Sequence, residues 1–105
     1  MKADNGSVVV GVLQDELDRN RRMQARYQQE IRQLPKGSLY LRKIHHQQYY
    51  YLNYRQDDKV VAKYVGKRDN VKVEEVKKGI SERKHYEELL KKLSSEEKWL
   101  LKALG

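Results

Sequence analysis

From Val10 to Leu34 the apolar residues Val10, Leu13, Leu17, Tyr27, Ile31 and Leu34 fall on one helical stripe, with Asn20 and Gln24 at the seam positions between them. That pattern predicts an amphipathic helix with a polar middle. Asp15, Glu16 and Asp18 precede Arg19, Arg21, Arg22 and Arg26, the order that complements a helix dipole. Pro35 disfavours helical backbone at Leu34 and Gly37 follows, so the helix is expected over residues 9–34 after a flexible N-terminus at 1–8.

Three runs rich in Tyr, Val, Ile and Leu follow, at 38–44, 48–55 and 59–65, divided by His45-His46 and Asp57-Asp58. This is the signature of a β-meander of two hairpins, spanning 38–66. With two-residue loops, Leu41 lies opposite Tyr50 and Tyr54 opposite Val61. One face then collects Leu39, Leu41, Tyr50, Leu52, Tyr54, Val61 and Val65, with Lys43 and Lys63 near its edges, and is expected to face the core. The other carries Tyr40, Arg42, Tyr49, Tyr51, Asn53, Arg55 and Tyr64 together with Ile44, Val60 and Ala62. Gly66 is expected to end the third strand.

Beyond a basic turn at Lys67-Arg68-Asp69-Asn70, Val73, Val76 and Ile80 restart a helical period, so residues 70–104 form a helical region. Ser94 with Glu97 reads as a capping box that either breaks this region into two helices or leaves it bent. The expected architecture is α+β: a long N-terminal helix, a three-stranded antiparallel meander and one or two C-terminal helices. At 105 residues, one domain with a thin core is expected.

Charge sharpens this picture. The chain carries a formal +8, and residues 36–72 hold nine Lys/Arg against three Asp/Glu, which is six of the eight excess charges. A localised basic surface attracts polyanions. Six of the eight tyrosines lie in the meander and phenylalanine is absent. Tyrosine suits a surface where one ring edge meets a polar partner, although strands also carry tyrosine simply to cover a wet sheet. The expected contact residues are Tyr40, Arg42, Tyr49, Tyr51, Asn53, Arg55, Lys63, Tyr64, Lys67 and Arg68. The tyrosines would stack on bases, Arg42 and Arg55 would meet phosphate, and Asn53 would reach a base edge.

Chemistry is otherwise sparse. With no cysteine there is no disulfide, zinc knuckle or thiol nucleophile, and no Gly-rich phosphate loop or serine elbow is present. His45, His46 and His85 make a poor metal set, because adjacent side chains at a turn point apart. No metal, cofactor or membrane partner is expected. The apolar run Val8-Val9-Val10 is too short and too soon interrupted for a signal segment, and the reading is cytoplasmic.

The segment LPKGSLYLRKIHHQQYYYLNYRQDDKVVAKYVGK, residues 34–67, resembles the core of a family of small bacterial and phage proteins. The shared pattern is Leu-Pro-Lys-Gly-Ser, then Tyr-Tyr-Tyr-Leu-x-Tyr-Arg, then Lys-Tyr-Val/Ile-Gly-Lys and a charged helix. The resemblance implies a phage or mobile-element setting in a bacterial host and brings no catalytic residues. The leading expectation is a non-catalytic protein that contacts nucleic acid or a ribonucleoprotein. One alternative is an inhibitor that docks on a bacterial defence system such as an RNA-guided CRISPR nuclease (an anti-CRISPR protein). The other is a small metal-independent ribonuclease using His45 or His46. A homodimer through the helices is a further expectation.

Overall fold

The computed structural model describes residues 4–105. In chain order it contains helix α1 (Asp4–Arg32), strands β1 (Ser38–Ile44), β2 (Gln47–Gln56) and β3 (Lys59–Lys67), and helix α2 (Val71–Leu104). The architecture is the α+β arrangement that the pattern predicts. Helix α1 starts at Asp4, ahead of the expected residue 9; the rest of the expected flexible terminus, residues 1–3, lies outside the described residues.

Contacts divide the chain into two compact units, 4–31 with 86–105 and 32–85. The buried positions divide likewise, into Leu17, Asn20 and Leu100 in the first unit and Leu52, Gly66, Val73 and Gly79 in the second.

The first unit is a helical pair. Tyr27 meets Tyr86 with ring centroids 5.3 Å apart, while Asn20 and Arg21 reach Leu93, Glu96 and Glu97, so the two helical segments run antiparallel. The polar seam expected from Asn20 and Gln24 is the centre of this pair. Asn20 is only 1% exposed, and its Nδ2 donates to the Leu93 carbonyl at 2.9 Å and to Glu96 Oε1 at 3.1 Å. Gln24 Nε2 donates to Asn20 Oδ1 at 2.7 Å and to Glu97 Oε1 at 3.0 Å. A buried amide with all its partners in place resists sliding of one helix along the other, because any shift leaves it unsatisfied.

The same network explains why α2 does not break at Ser94. A capping-box glutamate must reach back to the N-cap amide. Glu97 instead spends both carboxylate oxygens across the pair, accepting from Arg21 Nε at 2.9 Å and from Gln24. The helix runs on through residue 94 without interruption.

The second unit packs the first part of α2 on one face of the meander. The strands lie in the order β1-β2-β3, and both expected pairings occur, Leu41 opposite Tyr50 and Tyr54 opposite Val61. Both two-residue turns are built from residues with left-handed backbone: His45 (φ 49°), His46 (φ 68°), Asp57 (φ 49°) and Asp58 (φ 66°). Two successive positive φ values give the primed turn that matches strand twist. Histidine and aspartate tolerate that region better than most side chains.

Leu52 and Val73 fill the interior, but the tight approaches are made at glycines. A Cβ on Gly79 would lie 2.6 Å from Pro35 Cδ, so the loop before β1 sits directly on the α2 backbone. Arg83 Nη1 donates to the Leu34 carbonyl at 2.9 Å and closes the same corner. At Gly37, φ is 111°, and a side chain there would collide with the Asn53 carbonyl. On the expected core face Leu41 is 42% exposed, because β1 is an edge strand and only part of it is covered.

Two outcomes follow from this packing. Gly79→Ala adds helix propensity, yet it is expected to destabilise the protein by about 1–3 kcal/mol because the proline ring must be displaced; a denaturation midpoint at or above wild type would contradict the close approach. Hydrogen bonds from Arg21 and then Gln24 hold the Glu97 carboxyl below its ordinary value of 4.5, against an opposing desolvation. A depressed carboxylate stabilises the fold above that ordinary value, and the contribution disappears as pH falls through the folded-state value. The stability gap between wild type and Glu97→Gln should therefore narrow on acidification; a gap constant from pH 7 to about pH 3 would refute the assignment.

Candidate nucleic-acid interface

The sheet face turned away from α2 is built by strand alternation. In β2, Tyr49, Tyr51, Asn53 and Arg55 project to one side and Tyr50, Leu52 and Tyr54 to the other. Registration places Tyr40 and Tyr64 on either side of Tyr51, and Arg42 beside Tyr49. The rings touch. Tyr40 stacks on Tyr51 with centroids at 5.6 Å, Tyr64 meets Tyr51 edge-on at 5.6 Å, and Tyr49 lies 6.1 Å from Tyr64. The Arg42 guanidinium carbon lies 5.9 Å from the centre of the Tyr51 ring.

Four tyrosines thus form one continuous patch across all three strands, with Tyr51 central and Tyr64 51% exposed. Asn53 and Arg55 extend the same face toward the Asp57-Asp58 turn, by their alternation with Tyr51. The patch brings phenol rings and guanidinium N–H groups to the sheet surface, where Arg42 and Tyr64 are exposed and Tyr40, Tyr49 and Tyr51 half-buried. Tyr50 belongs to the opposite face, where the Lys77 ammonium lies 5.0 Å from its ring centre.

Of the expected contact residues, Lys63 pairs with Leu52 and lines a hollow with Pro35, Tyr54 and Arg83, so it stays on the core face that the register assigned it, away from the tyrosine patch. Lys67 is repositioned. A constant two-residue-loop register would place it opposite Gln48, on the helix face. A β-bulge at Tyr50/Tyr51 leaves Val65 as an extra residue, so Tyr50 pairs with Gly66 and Lys67 comes opposite Tyr49. Bulges re-aim the side chains that follow them. Here the bulge carries Lys67 onto the tyrosine side and extends β3 past Gly66.

Arg68 takes the position facing Gln48. Its backbone amide donates to the Gln48 carbonyl at 3.1 Å and its Nη1 to Gln48 Oε1 at 2.9 Å. Asn70 then caps α2, accepting from the Lys72 amide at 2.8 Å. Its side chain lies against Gly66, where a Cβ would come within 3.0 Å of it. These residues, with Lys43, His46, Gln47, Lys67 and Asp69, line an open concavity of about 600 Å³ at the His45-His46 end of the sheet. Sequence reasoning singled out Lys67 and Arg68 but not this hollow, and Gln48 and Asn70 carry no signal that marks them as its walls.

Among the described residues, no group of three His, Cys, Asp or Glu is placed to hold a metal ion. No described helix is long and apolar enough to cross a membrane.

The fold and this surface define a small α+β protein with an aromatic, cationic sheet face. The chain belongs to the family DUF6788, a domain of unknown function whose model matches residues 13–78. That span takes in most of α1, the whole sheet and the beginning of α2. No curated protein and no solved structure matches the chain.

If the rings act as one patch, the Tyr51–Tyr64 pair should be energetically coupled. A double-mutant cycle with Tyr51→Ala and Tyr64→Ala is expected to return about 0.5–1.5 kcal/mol of coupling in chemical denaturation. Strict additivity would show the two rings to be independent.

Proposed function

We propose that this protein is a non-catalytic binding protein that holds single-stranded nucleic acid on the tyrosine face of its sheet. The observation that carries the reading is the contiguous array of Tyr40, Tyr49, Tyr51 and Tyr64 with Arg42 set against Tyr51. Stacking on an aromatic surface is available only to bases that are not already stacked in a duplex. The six excess positive charges in residues 36–72 support the same reading, since Arg42, Arg55 and Lys67 among them share the face with the rings that would take the bases.

In this scheme Tyr51 and Tyr64 supply the central stacking platform and Tyr40 and Tyr49 extend it. Arg42 and Lys67, flanking Tyr49, and Arg55, toward the opposite end, neutralise phosphates. Asn53, an amide within the face beside Tyr51, is the natural candidate for a base-edge hydrogen bond. The phage or mobile-element setting implied by the sequence resemblance suits such a protein.

Fluorescence anisotropy with single-stranded DNA and RNA across a salt series tests the proposal. Affinity is expected to fall with salt, with a log–log slope of roughly −0.7 for each phosphate neutralised. Joint Arg42→Ala and Arg55→Ala should weaken binding and flatten that slope, while Tyr64→Ala should cost about 1–3 kcal/mol and Tyr64→Phe much less. Salt-independent affinity, or affinity that survives all these changes, would overturn the reading. Co-purification of a protein partner that persists after nuclease treatment would assign the face to protein docking instead.

A further inference from the structure

The concavity at the His45-His46 end of the sheet differs in character from the tyrosine face. Three cations, Lys43, Lys67 and Arg68, converge on it with His46, against a single carboxylate, Asp69. None of the ion pairs Arg19–Glu16, Arg21–Glu97 and Lys77–Glu74 involves these cations. Arg68 is nonetheless fixed in place: backbone and guanidinium both bond to Gln48, and one Nη1 bond leaves most of its five N–H donors available. A pinned guanidinium beside two mobile ammonium groups is suited to an oxyanion of more than one charge.

The hollow also straddles the end of the sheet. Lys43 and Gln48 pair with each other on the helix side, whereas Lys67 pairs with Tyr49 on the tyrosine side. The bulge is what brings Lys67 to that position, so one residue is shared between the stacking face and the hollow. At the opposite end of the sheet the turn is Asp57-Asp58, which repels an anion. The ends are therefore chemically unlike.

We propose that this concavity is a phosphate site that receives the terminal phosphate of the nucleic-acid strand whose bases stack on Tyr49, Tyr64 and Tyr51. The assignment rests on the tyrosine-face reading and adds to it a polarity and an end. An internal phosphodiester carries one charge and is already served by dispersed cations such as Arg42 and Arg55. A terminal monoester carries close to two at neutral pH, which matches the excess of cations in the hollow. A volume of about 600 Å³ leaves room for the phosphate and part of its sugar.

The test compares three oligonucleotides of one sequence by anisotropy: 5′-phosphorylated, 3′-phosphorylated and bearing hydroxyls at both ends. One phosphorylated form is expected to bind about tenfold more tightly than the hydroxyl form, through charge-assisted hydrogen bonds that the hydroxyl cannot make. Which form it is assigns the strand direction. Lys67→Gln and Arg68→Gln should each abolish most of that preference while leaving thermal stability close to wild type. The hydrogen bonds of Lys67 are made by its backbone, in the sheet and to the Asn70 amide, and a side-chain change leaves them in place, so its variant remains informative even where loss of the Gln48 contact disturbs folding. Equal binding of all three oligonucleotides overturns the terminal-phosphate site and leaves the stacking face standing. Absence of binding by every oligonucleotide overturns both.

Discussion

Pro35 resting on Gly79 is the contact on which the sheet-bearing unit is built. A unit of this size has few large apolar side chains to bury, and only Leu52 and Val73 are buried. The remaining buried positions are glycines, Gly66 and Gly79, each pressed by a side chain from another segment. Backbone proximity replaces side-chain volume. Dispersion falls off steeply with separation, so a thin core gains most from elements that approach until main chain meets side chain. Gly37 continues the device, since its left-handed backbone lets the chain turn from the proline corner into β1 against the Asn53 carbonyl.

That economy on the helix side leaves the other face of the sheet free of any buried requirement. Tyrosine is compatible there because its ring covers the pleated surface while its hydroxyl remains hydrated. The four rings cover one another in a row set by the cross-strand register, so the chemistry of the face is a direct reading of strand pairing. The bulge at Val65 then modifies that reading at one end. By advancing the register one step it converts the basic tail of β3 into the link between the aromatic face and the cationic hollow.

Much of this was legible in the sequence. Alternation gave the two faces, and the turn pairs His45-His46 and Asp57-Asp58 gave the register, because a two-residue hairpin leaves no freedom in pairing. Asn20 and Gln24 declared a polar seam by interrupting an apolar stripe. What stayed hidden was long-range. The side of the sheet taken by Lys67 depends on a bulge, which the glycine of Lys-Tyr-Val-Gly-Lys hints at without fixing that the extra residue is Val65. Gly79 within a helical period looks like a mild defect until Pro35 is placed on it. Glu97 fits a capping box, and only the presence of Arg21 and Gln24 across the pair shows why its carboxylate is engaged elsewhere.

The two hairpin turns have a kinetic meaning. A turn such as Asn-Gly adopts positive φ readily and seeds its hairpin before the strands have met. His45-His46 and Asp57-Asp58 reach the same backbone at a conformational cost in the absence of the strands. Neither turn is a strong nucleus, so the meander must draw on contacts distant in sequence, between residues near Leu34 and others near Arg83. Those contacts close a loop of about fifty residues, an entropic cost that the hairpins by themselves do not carry. The stability of the tyrosine surface accordingly depends on the proline corner as well as on its own hairpins.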